Sequence, residues 1–362
     1  MGNTRSAMRL AGGLVGGVLM VVVSGCGTGS DGAVDDQNVG SYSGSDEEDV
    51  DSDQQDIGSD EEDVDSDQQD IGSDEQCDTS TPYAEGDFSF TYNLDSSLPG
   101  EWVDEFTTIM GNLSEWAPVP ACVHDVPGIS SPMNIYAWNG AVENPFPERP
   151  DMRGASISGD GSETWMVLEI SEDEFTYDAL HRYSVIVHEY WHVYQLGLTR
   201  DNDAPIWLWE GGAKVAEEFY SQQEYGQSEF DNGLFPIMAS GLSQPADFEE
   251  YVDGDLDINY NTSAFMVLAL AKELQEAQGL SEARAFEMIL KDFQAAKLTE
   301  PDWKVAFAEI FSMSPEEFYA TLDQYPTVAS NEDWFEGDVL DVPSLMPSKD
   351  LTFTEVLSAS AS

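Results

Sequence analysis

The amino-acid sequence predicts an α+β fold in which a small N-terminal sheet precedes a mostly helical half. Short stretches typical of strands occur between residues 87 and 170. From Asp178 onward, apolar residues recur at helical spacing almost without interruption. The chain has 362 residues, which is enough for one large domain or two modest ones. We favour one folded domain with two subdomains.

Three strands and one helix are predicted in the first half. "DFSFTYNL" (87–94) alternates in polarity, and "MNIYAW" (133–138) and "TWMVLEI" (164–170) are the second and third strands. The segment 99–117 spaces its large apolar residues at helical intervals and is predicted as a helix. A loop rich in Gly, Pro, Asn and Ser separates the second strand from the third.

Six helices are predicted in the second half, several of them opened by a capping residue, as in "SPEEF" and "SEARAF". Their bounds are 178–196, 207–223, 262–278, 281–296, 301–311 and 315–324. The last 35 residues are predicted to be irregular, with short strands. The folded domain is therefore expected to span 77–328, with a tail at 329–362.

The first 76 residues are predicted to lie outside this domain. Residues 1–25 have a basic start, an apolar run and small residues, which indicates a secretory signal. "VSGC", which ends at Cys26, resembles the lipobox of bacterial lipoproteins, and this resemblance implies a lipid on Cys26. An ordinary signal peptide with an unrelated cysteine is the alternative. Residues 26–76 contain "GSDEEDVDSDQQDI" twice in tandem and are predicted to be a disordered tether, because dense like charges repel one another.

Charge restricts the partners and the location. The whole chain has a formal net charge of −58, and residues 77–362, with 52 acidic and 11 basic residues, keep a net charge of −41. Such a surface argues against nucleic acid and anionic lipid as partners. We expect an exported, monomeric protein that is held to a bacterial membrane by its lipid alone. The outer membrane is favoured, with the domain facing the periplasm or the exterior.

Cysteine use agrees with export. Beyond Cys26, the chain contains only Cys77 and Cys122. A disulfide bond between these two is predicted for a non-cytosolic protein, and two free thiols are the alternative.

The stretch "VIVHEYWHVYQ" contains the candidate chemistry. His188 and His192 are four residues apart, so their imidazoles project from one helix face and can share one metal ion. Glu189 lies about 100° round the helix, where it can reach a metal-bound water without binding the metal itself. The alternative is an amphipathic helix with a hydrogen-bonded histidine pair. A catalytic zinc ion needs a third protein ligand and an open fourth position.

Glu210 lies eighteen residues past His192, within the stretch "WLWEGGA". This combination resembles the gluzincins, the zinc metallopeptidases that include thermolysin-like enzymes, aminopeptidase N-like enzymes and bacterial peptidase-MA-like domains. The resemblance implies a zincin-like fold, bound Zn²⁺ and Glu210 as the third zinc ligand. Lys214 stands where thermolysin-like enzymes have an acid that orients a zinc-bound histidine, so the sequence assigns no such partner.

The resemblance continues to about residue 325. "YNTSAFMVLALAKELQEAQGL" and the helices after it are similar to the C-terminal helices of the peptidase-MA-like family, although Phe311 stands where glycine is usual. A tyrosine at the start of this helix stabilises the oxyanion in related aminopeptidases. That catalytic role would fall on Tyr260, with Tyr251 and Tyr220 as alternatives.

These observations predict a zinc metallopeptidase that acts on peptides or proteins, with Glu189 as general base. An extended substrate is expected to lie along "TWMVLEI" as the sheet edge. An endopeptidase is weakly favoured over an aminopeptidase. The alternatives are a catalytically inactive zincin that serves as a surface binding or adhesion lipoprotein, and a structural lipoprotein without metal.

Overall fold

A computed structural model of the chain describes residues 88–199, 204–230, 235–238, 244–252, 256–296, 302–325, 327–329 and 338–358. The predicted signal peptide, Cys26, the acidic repeats and Cys77 lie outside these residues. None of the helices in the described ranges is long and apolar enough to cross a membrane.

A four-stranded sheet forms the N-terminal layer, in the order β1–β2–β4–β3. Its strands are β1 (Phe90–Leu94), β2 (Met133–Asn139), β3 (Ala155–Gly159) and β4 (Thr164–Ile170). β1 and β4 both run parallel to β2, whereas β3 pairs antiparallel with β4. The three predicted strands are therefore present, together with a fourth that the sequence did not predict.

The prediction that "TWMVLEI" forms the sheet edge is wrong, because β3 pairs with its outer side. The sequence "ASISG" of β3 contains small and polar residues and lies within a stretch rich in turn formers. Its pairing with β4 comes from tertiary context rather than from strand propensity.

The helices of the second half follow the predicted pattern, with ends shifted by a few residues. They are α3 (His181–Thr199), α4 (Ile206–Tyr225), α6 (Leu256–Gln278), α7 (Glu282–Glu287), α8 (Phe293–Ala296), α9 (Trp303–Phe311) and α10 (Pro315–Thr321). The sheet half contributes α1 (Gly100–Trp116) and the short α2 (Glu172–Thr176), and α5 (Phe235–Met238) precedes α6. A π-helical turn, Met288–Asp292, joins α7 to α8, so the predicted helix 281–296 is one helical segment with a local widening. The described chain is thus a mixed α+β structure with a small sheet and a mostly helical remainder.

The helix α3 lies at the centre of the packing. It contacts α1, β3 and β4, and also α4, which in turn contacts α6. Every residue of α3 from Ser184 to Thr199 is buried. A helix that is buried all round is a core element rather than a surface one, so its polar residues must find partners inside the protein.

The C-terminal residues also join the core. A two-stranded sheet consists of β5 (Thr327–Ala329) and β6 (Asp338–Leu340), and α11 (Phe353–Ser358) follows it. The ring of Phe353 packs against Trp116, Trp191 and Phe219, which belong to α1, α3 and α4. The tail predicted as irregular therefore contains a helix that packs against α1, α3 and α4.

Cys122 lies in a short 3₁₀ helix, Ala121–Asp125, is fully buried and is disulfide-bonded. Because Cys77 lies outside the described residues, its pairing with Cys122 stays a prediction.

Gly211 allows α4 and α6 to approach closely. A Cβ atom at this position would lie 2.3 Å from the carbonyl oxygen of Ser263 and 2.6 Å from its carbonyl carbon. Contacts this short against backbone cannot be relieved by a rotamer change, so the two helices would have to separate.

We therefore expect Gly211→Ala to lower the free energy of unfolding by about 1–3 kcal/mol. The matched control is Gly111→Ala in α1, where nothing lies within 4 Å of the added carbon. That change should stabilise the protein by about 0.5–1 kcal/mol, since alanine is the better helix former. Urea unfolding of both variants measures the difference, and equal midpoints for Gly211→Ala and the parent protein would contradict the close-packing argument.

Candidate metal centre

Three side-chain atoms from α3 and α4 converge in the core. The Nε2 atoms of His188 and His192 are 3.1 Å apart, and the Oε2 atom of Glu210 is 3.2 Å from each of them. All three residues are buried. These residues, predicted as ligands from the sequence, therefore form a group within metal-binding distance.

The size of this triangle can be compared with a metal site. Tetrahedral zinc has ligand bonds of about 2.0–2.1 Å, which places its ligand atoms about 3.3–3.4 Å from one another. The observed separations of 3.1–3.2 Å differ from this by only a few tenths of an ångström. The three donor atoms thus fit a single divalent ion with minor expansion.

Each histidine has an outer nitrogen, Nδ1, which is the ring nitrogen that does not belong to the triangle. The outer nitrogen of His188 contacts a glutamate that the sequence did not indicate as a site residue. Its Nδ1 lies 2.6 Å from Oε1 of Glu217, and Glu217 also accepts hydrogen bonds from Ser184 and Lys214. Glu217 follows Glu210 by seven residues, which is almost two helical turns, so both side chains share a face of α4. This seven-residue spacing is the signal for Glu217 in the sequence, whereas the residue one turn after Glu210, where thermolysin-like enzymes have the acid, is Lys214.

The outer nitrogen of His192 has a neutral partner. Its Nδ1 lies 2.8 Å from Oε1 of Gln195, and the amide nitrogen of Gln195 donates to the backbone oxygen of Trp209 at 3.0 Å. Because the amide nitrogen is used in this way, the amide oxygen faces the imidazole and accepts the proton on Nδ1. The indole of Trp209 also stacks on the His192 ring, at 5.1 Å and 9° between planes. His192 is therefore fixed in both tautomer and orientation.

Electrostatics keep Glu210 ionised despite its burial. Burial alone would raise the pKa of its carboxyl group, but the charge of His192 and the hydrogen bonds from both imidazoles hold it well below its usual range. Burial lowers the pKa of His188, whereas its bonds to Glu210 and Glu217 outweigh this and raise it to about 10. The first shift favours the negatively charged carboxylate of Glu210, and the second favours the positively charged imidazole of His188.

Glu189 is not part of the triangle. Its side chain is fully buried, and neither carboxylate oxygen forms a hydrogen bond with any residue that the structure describes. Burial raises its pKa to about 7, against the opposing effect of the two imidazoles. A buried carboxylate without a partner is costly, and this cost is removed if a polar ligand or water lies beside it.

Two of the three candidate tyrosines reach the centre. The Tyr260 ring lies edge-on to His188, with ring centroids 5.8 Å apart, and its side chain is 4% exposed. The Tyr251 hydroxyl donates to Oε1 of Glu210, and this residue is 39% exposed. The hydroxyl of Tyr220 instead accepts a hydrogen bond from Asn112 of α1.

No protein-family model, no curated protein and no solved structure matches this chain. The centre is accordingly defined by its own residues: a buried His–His–Glu group that can bind a metal ion.

We expect Glu217→Gln to weaken metal binding by about tenfold to a hundredfold, because the outer partner of a ligating histidine sets its orientation and basicity. Competition of the purified protein with a chelator of known affinity measures the effect. Glu218→Gln is the matched control, since Glu218 is also fully buried but bonds to Gln222 and to the backbone of Glu229. Equal losses of affinity in both variants would show that general core damage, not the bond to His188, is responsible.

Proposed function

We propose that the protein is a zinc-dependent metallopeptidase of the gluzincin type. The observation that carries the proposal is the triangle of two imidazole nitrogens and one carboxylate oxygen, with the buried carboxylate of Glu189 adjacent to it in sequence. Two histidines and one glutamate are the ligand set of several zinc peptidases, which keep a fourth position open for water or substrate. The donor chemistry and the triangle size both fit this use.

His188, His192 and Glu210 would hold the ion. When bound, Zn²⁺ would lower the pKa of a water molecule and polarise the carbonyl group of the substrate. Glu189 accepts the proton of the attacking water and then delivers it to the leaving amine nitrogen. Burial raises the pKa of the Glu189 carboxyl group, which favours its holding the proton between these two transfers.

A tyrosine hydroxyl stabilises the negative charge that develops on the carbonyl oxygen of the substrate. As negative charge develops on the carbonyl oxygen, a fixed neutral donor strengthens its hydrogen bond to that oxygen. We assign this role to Tyr260, whose ring lies against His188. Tyr251 is the alternative, because its hydroxyl also lies at the centre and its side chain is the more exposed.

The substrate is proposed to enter as an extended peptide. β3 is the terminal strand of the sheet on the side of β4, and it contacts α3. Ala155, Ser156 and Ile157 are buried, whereas Ser158 and Gly159 are partly exposed. Backbone pairing with a substrate strand is therefore proposed at the Ser158–Gly159 end of β3. We further propose that the protein cleaves bonds within peptides. We also propose that it is exported as a monomer with a lipid attached at Cys26.

We expect Glu189→Gln to retain metal and to lower the rate of peptide hydrolysis by about a hundredfold to ten-thousandfold, since only the general base is removed. Metal content by elemental analysis and cleavage of a broad peptide library are measured on the same preparation. Glu218→Gln serves as the control for changing a buried acid. Unchanged cleavage by Glu189→Gln would exclude this mechanism.

Metal removal gives a separate expected outcome. The parent protein treated with a chelator should lose peptide hydrolysis, and one equivalent of Zn²⁺ per chain should restore it, because the triangle provides one site. Full hydrolysis by protein shown to contain no metal would contradict the proposal. Stoichiometric zinc without cleavage would support the inactive binding protein instead.

A further inference from the structure

We propose that Tyr251 is a positioning residue that holds Glu210 as a one-oxygen metal ligand and thereby keeps the fourth coordination position open. This inference rests on the zinc-site part of the proposed function. It concerns how the site is built, and it does not depend on which bond the protein cleaves.

The two oxygens of Glu210 have different surroundings. Oε2 lies 3.2 Å from both imidazole Nε2 atoms, whereas Oε1 accepts the hydrogen bond from the Tyr251 hydroxyl. A carboxylate can bind a metal through one or both oxygens. Occupying Oε1 with a donor orients Oε2 alone toward the imidazoles.

The donor is neutral, and this affects the charge of the site. The Tyr251 side chain is a phenol, whose hydroxyl donates a hydrogen bond to Oε1 of Glu210 without bringing a positive charge. A lysine or arginine at this position would neutralise the carboxylate that the cation needs. The phenol fixes Glu210 while leaving its charge available, and hydrogen bonds to an ionised acceptor are among the stronger ones.

The backbone beside Tyr251 is fixed although its side chain is partly exposed. Asn259 of α6 accepts from the backbone nitrogen of Val252 at 2.7 Å and donates to its oxygen at 2.9 Å. On the other side, Phe248 is buried, and Glu249 accepts hydrogen bonds from Lys304 and Tyr319. Contacts with α6, α9 and α10 thus determine where this hydroxyl lies.

The test is Tyr251→Phe, which removes the hydroxyl and keeps the ring. We expect its affinity for Zn²⁺ to fall about tenfold to a hundredfold, the effect typical of losing the outer partner of a ligand. Tyr225→Phe is the matched control, because Tyr225 also donates to a carboxylate, at 2.6 Å from Oε1 of Glu105, but its partner belongs to α1. Chelator competition on the metal-free proteins measures both affinities without any assay of activity.

Cobalt substitution provides a second measurement. In Tyr251→Phe, Oε1 is free to join Oε2 on the ion, which raises the coordination number, so the visible absorption of the Co²⁺ protein should weaken relative to the parent and to Tyr225→Phe. A purely structural change would not alter this spectrum selectively. Parent-like affinity and spectrum in Tyr251→Phe would overturn the inference, even if its peptide hydrolysis fell, because Tyr251 would then act on the substrate alone.

The outcomes also separate this inference from the proposed function. If the parent protein binds zinc but cleaves no peptide, and Tyr251→Phe still binds more weakly, the peptidase proposal fails and this inference stands. If the parent protein binds no divalent metal, both fail.

Discussion

Burial of negative charge in the core is the constraint on which the arrangement of the helices depends. Glu189, Glu210 and Glu217 are each at most 1% exposed, and an unpaired buried carboxylate is costly. The surrounding contacts reduce this cost: Lys214 donates to Glu217, and the Tyr251 hydroxyl donates to Glu210. A divalent cation bound by His188, His192 and Glu210 would add two positive charges next to the carboxylate of Glu210. The negative charge of these buried carboxylates therefore favours the binding of a divalent ion.

The packing of α3, α4 and α6 determines where the buried acids and their partners lie. The ligand atoms belong to α3 and α4, so their 3.2 Å separations require these two helices to lie side by side. Gly211, the residue next to Glu210, lets α6 approach α4 at backbone distance. The helix α6 then places Tyr260 against His188 and brings Asn259 to the segment that ends in Tyr251. The close approach of α6 at Gly211 thus accompanies the placement of Tyr260 and Asn259 near the candidate metal ligands.

The parts of the site that the sequence predicts are those set by local spacing. His188 and His192 share a helix face by periodicity alone, and resemblance to a motif added Glu210. Glu217 could have been found from its seven-residue offset on α4. Tyr251 is one of three tyrosines that the sequence offers for the oxyanion role, but its bond to Glu210 could not be predicted, because its position depends on contacts with α6, α9 and α10. Strand β3 was missed for a related reason: "ASISG" has little strand propensity, and its pairing with β4 is a tertiary effect.

The inner and outer atoms of His188, His192 and Glu210 differ in a way that favours metal binding over a hydrogen-bonded histidine pair. The outer Nδ1 atoms of both histidines face acceptor oxygens, from Glu217 and Gln195, so each carries a proton. The raised pKa of His188 favours a second proton on this imidazole when no ion is bound. When both imidazoles are neutral, as metal binding requires, both inner Nε2 atoms are lone-pair acceptors that lie 3.1 Å apart with Oε2 of Glu210 beside them. Three acceptors directed at one another repel unless something positive lies between them. One additional proton satisfies a single pair of these atoms, whereas a divalent ion binds all three at once.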